Sequence, residues 1–257
     1  MKVVILAGGY GTRLSEETDL KPKPLVHIGS FPIIWHIMKI YSYYGLNDFI
    51  ICCGYKGYYL KEYFFNYSLH HSDITFDFIN NKTVVHNNST DPWTVTLVDT
   101  GLSTSTGGRL LRVKNYLKDD EDFCFTYGDG LSDININKLV SFHKEKNRLA
   151  TMSGVVPPGR YGAIIEKNNI VEKFTEKPQG DNAIINGGFF VLNKKVLKYI
   201  SGDDSSWETD CLTNIVSDQE LSVYKHNGFW QAMDTLREKR ILEDLWNENN
   251  APWAIWR

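Results

Sequence analysis

Short unbroken apolar runs alternate with segments of helical period along this chain. The first run, VVILA at 3–7, is cut off by two glycines, the form of a strand buried on both faces of a parallel sheet. FPIIWHIMKIYSYYG at 31–45 reads as a helix. Pro32 suits its first turn, Ile33, Ile37, Ile40, Tyr41 and Tyr44 share a face, and Gly45 ends it. FIICC at 49–53 repeats the strand pattern, GYYLKEYFFNY at 57–67 the helical one, and DFCFTY at 122–127 is a third buried strand followed by Gly-Asp-Gly. INKLVSFHKEK at 136–146 is a further helix. This rhythm predicts an α/β fold, Rossmann-like, with a mostly parallel mixed sheet and flanking helices. Two stretches break it. From Thr75 to Val98 the period becomes two around Asn80-Asn81-Lys82, which predicts protruding β-hairpins, and Ala163 to Phe174 reads as another hairpin that opens a more antiparallel second half.

Composition narrows the class. With 257 residues, 42% hydrophobic and 23% charged, the chain suits one globular domain over 1–257, and no repeat, low-complexity tract or linker divides it. The formal net charge of −3 offers no basic footprint for nucleic acid or an anionic membrane. No apolar stretch approaches the roughly 18 residues needed to span a bilayer. VVILA is also shorter than the about 7 to 15 apolar residues of a secretion signal, so a cytoplasmic location is expected. Cys52, Cys53, Cys124 and Cys211 form no C-x-x-C pair and read as small core residues. The histidines show no ligand spacing. Trp93, Trp253 and Trp256 are expected to pack against a neighbouring subunit.

The chemistry begins where the first strand ends, in LAGGYGTRL. A strand running into glycines exposes main-chain N–H groups that can wrap phosphate oxygens, and Arg13 adds a permanent charge with a fork suited to phosphate. A dinucleotide fingerprint fails, because Leu14 stands where its third glycine belongs, and a Walker loop fails for want of any Gly-Lys. Ten residues on, KPKPLV holds Lys23 between prolines that stiffen its backbone. Asp129 lies directly after the strand DFCFTY, at the carboxyl end where open α/β sheets place ligands. Asp234 stands at the start of the helical TLREKRILEDLW, where it also fits an N-cap.

LAGGYGTRL with KPKPL resembles the signature of the sugar-1-phosphate nucleotidyltransferases, a GT-A-like fold. WHIMK, FIICCGYKGY, VTLVDTG, TGGRL, FTYGDG, PPGRYGA, EKPQGD, INGGFFVLN, GFWQAMDT and APW extend the likeness over the chain, and are similar to its glucose-1-phosphate cytidylyltransferase branch, known from O-antigen dideoxysugar pathways. The resemblance implies transfer of a cytidylyl group from CTP to α-D-glucose 1-phosphate, giving CDP-glucose and pyrophosphate. It implies a nucleotide-binding half over 1–150 and a sugar-binding half over 151–257. Leu6, Ala7, Gly8, Gly9, Tyr10, Gly11, Thr12 and Arg13 would line the nucleotide, with Thr104, Arg109 and Gly128 beside it. Arg13 would hold the β- and γ-phosphates, and Lys23 the α-phosphate. Asp129 and Asp234 would hold Mg²⁺, which takes only one or two carboxylates besides phosphates and water. Gly162, Glu176, Lys177, Asn186 and Gly187 would take the sugar phosphate. A homo-oligomer, hexameric or trimer-based, is also implied.

Some positions depart from the pattern. LVHIGSFP carries His27, Ser30 and Phe31 where an acid and Gly-Lys are familiar, and WETDCL carries Thr209, Asp210 and Cys211 where a glutamate and proline are familiar. ETD resembles the thymidylyltransferases. Two alternatives therefore stand beside the first reading: a relative using UTP, dTTP or another acceptor, and a silent regulatory homologue that binds sugar nucleotides.

Overall fold

Val3–Ala7 is buried along its whole length because it runs between two parallel neighbours under helices on both faces. A computed structural model describes residues 1–157 and 184–257, together with the backbone of 163–167 and 170–175. Among these residues the central sheet has seven strands: β1 (Val3–Ala7), β2 (Asp48–Cys53), β3 (Thr94–Asp99), β4 (Asp122–Tyr127), β5 (Ala150–Val155), β6 (Ile185–Asn193) and β7 (Leu221–His226). Their spatial order is β7-β5-β6-β4-β1-β2-β3. β6 is antiparallel to β4 and β5, and the other pairings are parallel. The chain steps outward from β1 to β3 and returns to β4 on the far side of β1. A crevice therefore opens at the carboxyl ends of β1 and β4, where strand order reverses.

Helices cover both faces. On one side lie α1 (Ile33–Tyr43) and, late in the chain, α5 (Leu236–Asn247); on the other lies α3 (Thr106–Arg112). Helix α2 (Gly57–Phe65) packs on the β3 edge, and α4 (Ile136–Lys146) starts at Asn135, whose side chain accepts from the Lys138 N–H. Helix α1 is buried almost all round rather than on one face, with Ile34, Trp35, His36 and Met38 as inaccessible as Ile33 and Ile37. The reason is the C-terminal segment, which folds back over it. Trp253 is fully buried and stacks on Phe229 and Trp246, at centroid distances of 5.5 and 6.4 Å.

Two expectations need correction. Trp253 is fully buried in the chain's own core. Trp256 packs on Trp35, and Trp93 on Phe49 and Tyr67, while both stay partly exposed. Only the first part of 75–98 is a hairpin: Ser72–Asp77 pairs with Lys82–Asn88, whereas Thr94–Asp99 is the parallel edge strand β3. An edge strand covered on one face alternates with the same period as a hairpin, so the pattern alone does not separate them. The expected hairpin at 163–174 is present as Ala163–Lys167 paired with Ile170–Thr175. All four cysteines are buried and free.

His36 sits in this tryptophan-rich core. Its Nε2 donates to the Ile28 carbonyl at 3.0 Å, and its Nδ1 accepts from Trp253 Nε1 at 3.3 Å, which requires the neutral ring. Burial pushes its pKa from 6.5 down to about 4. A group depressed in the folded state protonates first in the unfolded chain, so stability is complete above pH 6.5 and declines as pH falls toward 4. The loss at this site is about 3 kcal/mol. Urea denaturation between pH 7 and pH 4 should show that decline, and the His36→Gln variant should lack this share of the slope.

Candidate active site

The crevice at the β1–β4 switch point is a cavity of about 840 Å³. The loop 6–13, Lys23, Thr104, Arg109, Gly128, Asp129, Asn186, Gly187 and Asp234 all line it. Gly162, Glu176 and Lys177 lie outside the described residues.

Asp129 and Asp234 are brought together by a short ladder. Gly130–Ser132, just after β4, pairs antiparallel with Trp230–Ala232, placing Gly130 opposite Ala232, and the Met233 N–H donates to the Asp129 carbonyl at 2.8 Å. Helix α5 then begins at Thr235, not Asp234. Thr235 and Glu238 form a capping box, and Glu238 also accepts from the Asp234 N–H at 2.8 Å. The cap thus fixes Asp234 one residue ahead of the helix and leaves its carboxylate to the cavity.

Lys23 stands at the focus. Its Nζ donates to Asp129 Oδ2 at 2.6 Å and to Asp234 Oδ1 at 2.7 Å. Burial alone would lower its pKa, but the two carboxylates outweigh that and hold the ammonium above its ordinary value. The other oxygen of Asp234 accepts from Arg13 Nη1 at 3.0 Å, although Arg13 itself is largely exposed. The donor set suits a hard cation: two carboxylate oxygens converge on one point, which a small divalent ion accepts alongside phosphate oxygens and water. Among the described residues there is no group of three His, Cys, Asp or Glu side chains placed to hold a metal.

Arg109 is held in the cavity wall by the main chain around it. Its guanidinium donates to the carbonyls of Cys53, Gly101 and Leu102 and to Thr100 Oγ1, and it lies against Gly8 and Gly54. It lines the cavity while tying three loops together. Three of the departures, His27, Ser30 and Phe31, lie away from the cavity lining, and Phe31 stacks on Trp35 at 4.0 Å. Thr209, Asp210 and Cys211 sit on a π-helical turn, Trp207–Cys211, that carries Glu208 into the cavity.

Thr106, Tyr127, Glu208 and Trp230 are site residues that the sequence reading missed. Glu208 accepts from the Tyr127 hydroxyl at 2.7 Å and from Thr106 Oγ1 at 2.6 Å, and Trp230 Nε1 donates to the Gly187 carbonyl at 2.7 Å. Burial and the neighbouring Glu208 carboxylate raise the Tyr127 pKa and keep the phenol neutral. Their signal lay in TGGRL, FTYGDG, WETDCL and GFWQAMDT, the stretches that carry them.

The family description "Nucleotidyl transferase" matches residues 2–237. The chain belongs to this family. It is 57% identical over 256 residues to the glucose-1-phosphate cytidylyltransferases of Salmonella typhimurium and Salmonella typhi, each match covering 100% of both chains. Among solved structures it resembles HddC from Yersinia pseudotuberculosis, with a TM-score of 0.69 at 21% identity over 95% of this chain and 99% of that one, a likeness of fold. As a nucleotidyltransferase it belongs with enzymes that typically use a divalent metal. Among the described residues no helix is long and apolar enough to cross a membrane.

Without Lys23, Asp129 and Asp234 would lose the one ammonium that both of them contact. Lys23→Met should destabilise the protein by about 1–3 kcal/mol at pH 8, since partly buried carboxylates lose their charged donor. Asp129→Asn in the same background should recover part of that loss. A urea-denaturation double-mutant cycle measures both.

Proposed function

We propose that this nucleotidyltransferase transfers the cytidylyl group of CTP to α-D-glucose 1-phosphate. The reading rests on one observation above the rest: Lys23, Asp129 and Asp234 meet in a single cavity beside the glycine-rich loop. The full-length likeness to glucose-1-phosphate cytidylyltransferases supports the choice of substrates. A phosphate oxygen of the sugar phosphate attacks the α-phosphorus of CTP, the bond to the β-phosphate oxygen breaks, and pyrophosphate leaves. The attacking monoester is already an adequate nucleophile, so no side chain forms a covalent intermediate. What remains for the protein is to bring two polyanions into line and to stabilise the charge that builds between them.

In this reading the loop 6–13 holds the nucleotide mainly by its main chain. Arg13 leaves Asp234 for the β- and γ-phosphates, and Lys23 donates to an oxygen of the α-phosphate. Thr104 and Gly128 lie beside the nucleotide, and Arg109 braces its loops. Asp129 and Asp234 hold Mg²⁺, which when bound adds neutralising charge at the phosphates. Asn186 and Gly187 meet the hexose, with Gly162, Glu176 and Lys177 assigned to the same half. The division into a nucleotide half, 1–150, and a sugar half, 151–257, follows. CTP and sugar phosphates are cytoplasmic metabolites, which places the reaction there, and O-antigen dideoxysugar synthesis is the pathway that would consume CDP-glucose.

Pyrophosphate release should occur with CTP and glucose 1-phosphate and not when UTP or dTTP replaces CTP; turnover with another nucleotide alone would overturn the base assignment. Asp129→Asn should lose more than about a hundredfold in turnover, more than a supporting residue would cost. Lys23→Ala should lower kcat by about 10²–10³-fold with little change in KM for CTP, as expected of a contact that strengthens in the transition state.

The chain also assembles with copies of itself in this reading. The hairpin 72–88 carries Phe76, Phe78 and Ile79 exposed by 51, 90 and 95%, with Phe76 and Phe78 stacked on each other, an apolar tip that a second copy would cover. Light scattering should report an oligomer, and Phe78→Asp with Ile79→Asp should shift it toward monomer while leaving the melting temperature of the monomer fold unchanged.

A further inference from the structure

A glutamate in the cavity wall invites a question that the phosphate chemistry does not answer. Glu208 is half-buried, lines the cavity, and has no lysine, arginine or histidine pairing with it among the described residues. The fold goes to some length to bring it there. Segment 203–207 is drawn onto the start of α3 by Ser105 N–H to the Asp203 carbonyl at 2.8 Å and Gly107 N–H to the Ser205 carbonyl at 2.9 Å. Only glycines allow that approach, because a β-carbon at Gly107 would come within 2.8 Å of Ser205 O, and one at Gly108 would strike Asp203. Arg112 clamps Asp203 through two hydrogen bonds, and Trp207, fully buried against Phe125 and Phe190, anchors the π-helical turn. Such turns concentrate at functional sites.

The hydrogen bonds of Glu208 run in one direction. One carboxylate oxygen accepts from Thr106 Oγ1 and Ser206 Oγ, the other from the Tyr127 hydroxyl. A carboxylate only accepts, so the single Tyr127 proton is committed to it. The Tyr127 oxygen must then accept from its next neighbour, and Asn186 Nδ2 donates to it at 3.1 Å. The other end of that amide agrees, since Asn186 Oδ1 accepts from the Gly188 N–H at 2.8 Å. Both ends of the Asn186 amide are therefore fixed, and the group left for the cavity is its second N–H.

We propose that Glu208 is a positioning residue for the sugar phosphate: acting through Tyr127, it fixes Asn186 as a hydrogen-bond donor toward the hexose and so selects a sugar whose oxygen accepts at that point. The inference rests on the reading that Asn186 meets the hexose. A glutamine at 208 can offer an N–H to Tyr127, which frees the phenol to turn its proton toward Asn186 Nδ2 and so loosens that end of the amide, leaving the Gly188 N–H to hold the other end.

Three variants, Glu208→Gln, Tyr127→Phe and Asn186→Ala, test the relay by steady-state kinetics in both substrates, with thermal melting in parallel. Each should raise KM for glucose 1-phosphate about tenfold, the size of one hydrogen bond, with kcat and KM for CTP within about twofold of the parent. The Glu208→Gln/Tyr127→Phe double variant should be no worse than either single one, because the groups act in series. The proposal is overturned if Asn186→Ala raises KM for the sugar phosphate while the other two leave it unchanged. Equal rises in both KM values with a lower melting temperature would also overturn it, as the mark of a packing role. An unchanged sugar KM in Asn186→Ala would instead refute the hexose contact, and the relay with it.

Discussion

Repulsion between like charges is the constraint around which this molecule is organised. Asp129 and Asp234 lie 106 and 211 residues from Lys23 along the chain, yet both touch its ammonium. No local preference produces that arrangement. It requires β4 to end beside β1, the short ladder from Gly130 to Ala232 to lay one aspartate near the other, and the Thr235 cap to stop α5 from absorbing Asp234 into its first turn. On the proposed reading substrates extend the same problem, since two phosphate-bearing molecules would have to meet where two carboxylates already face each other. Lys23 holds the acids together, and on the proposed reading it then serves the phosphates in their place.

How far this could be read from the sequence depends on the length scale of the cause. The strands VVILA, FIICC and DFCFTY were legible because burial on both faces leaves an unbroken apolar run, and GGYGTR and KPKPL because the chemistry is carried by adjacent residues. Burial of α1 on every side was not, since its cover comes from Trp246 and Trp253 more than two hundred residues later. The edge strand β3 and the hairpin before it share one alternation, and only the pairing partner distinguishes them. Glu208 escaped notice because a π-helical turn leaves no periodic trace and because its partners, a threonine, a serine and a tyrosine, are unremarkable apart from their meeting.

The two faces of the sheet divide the labour. One carries the tryptophan-lined core that fixes α1 and α5, and through α5 the position of Asp234. The other carries α3 and the Trp207 turn, which contribute to the wall of the cavity together with the glycine-rich loop. Lys23, Asp129 and Asp234 arise at the seam, outside either core, which is why their spacing depends on both.

Arg109 adds a contrast among the cations. Lys23 and Arg13 are each held by carboxylates, so part of their charge is already answered. Arg109 is bound by neutral carbonyls and a hydroxyl, and among the described residues it forms no ion pair. On the proposed reading its charge is already in the cavity wall before any anion arrives. Added salt would weaken its pull at a distance far more than it weakens contacts already made, so ionic strength bears on capture of the anions and much less on the step that follows.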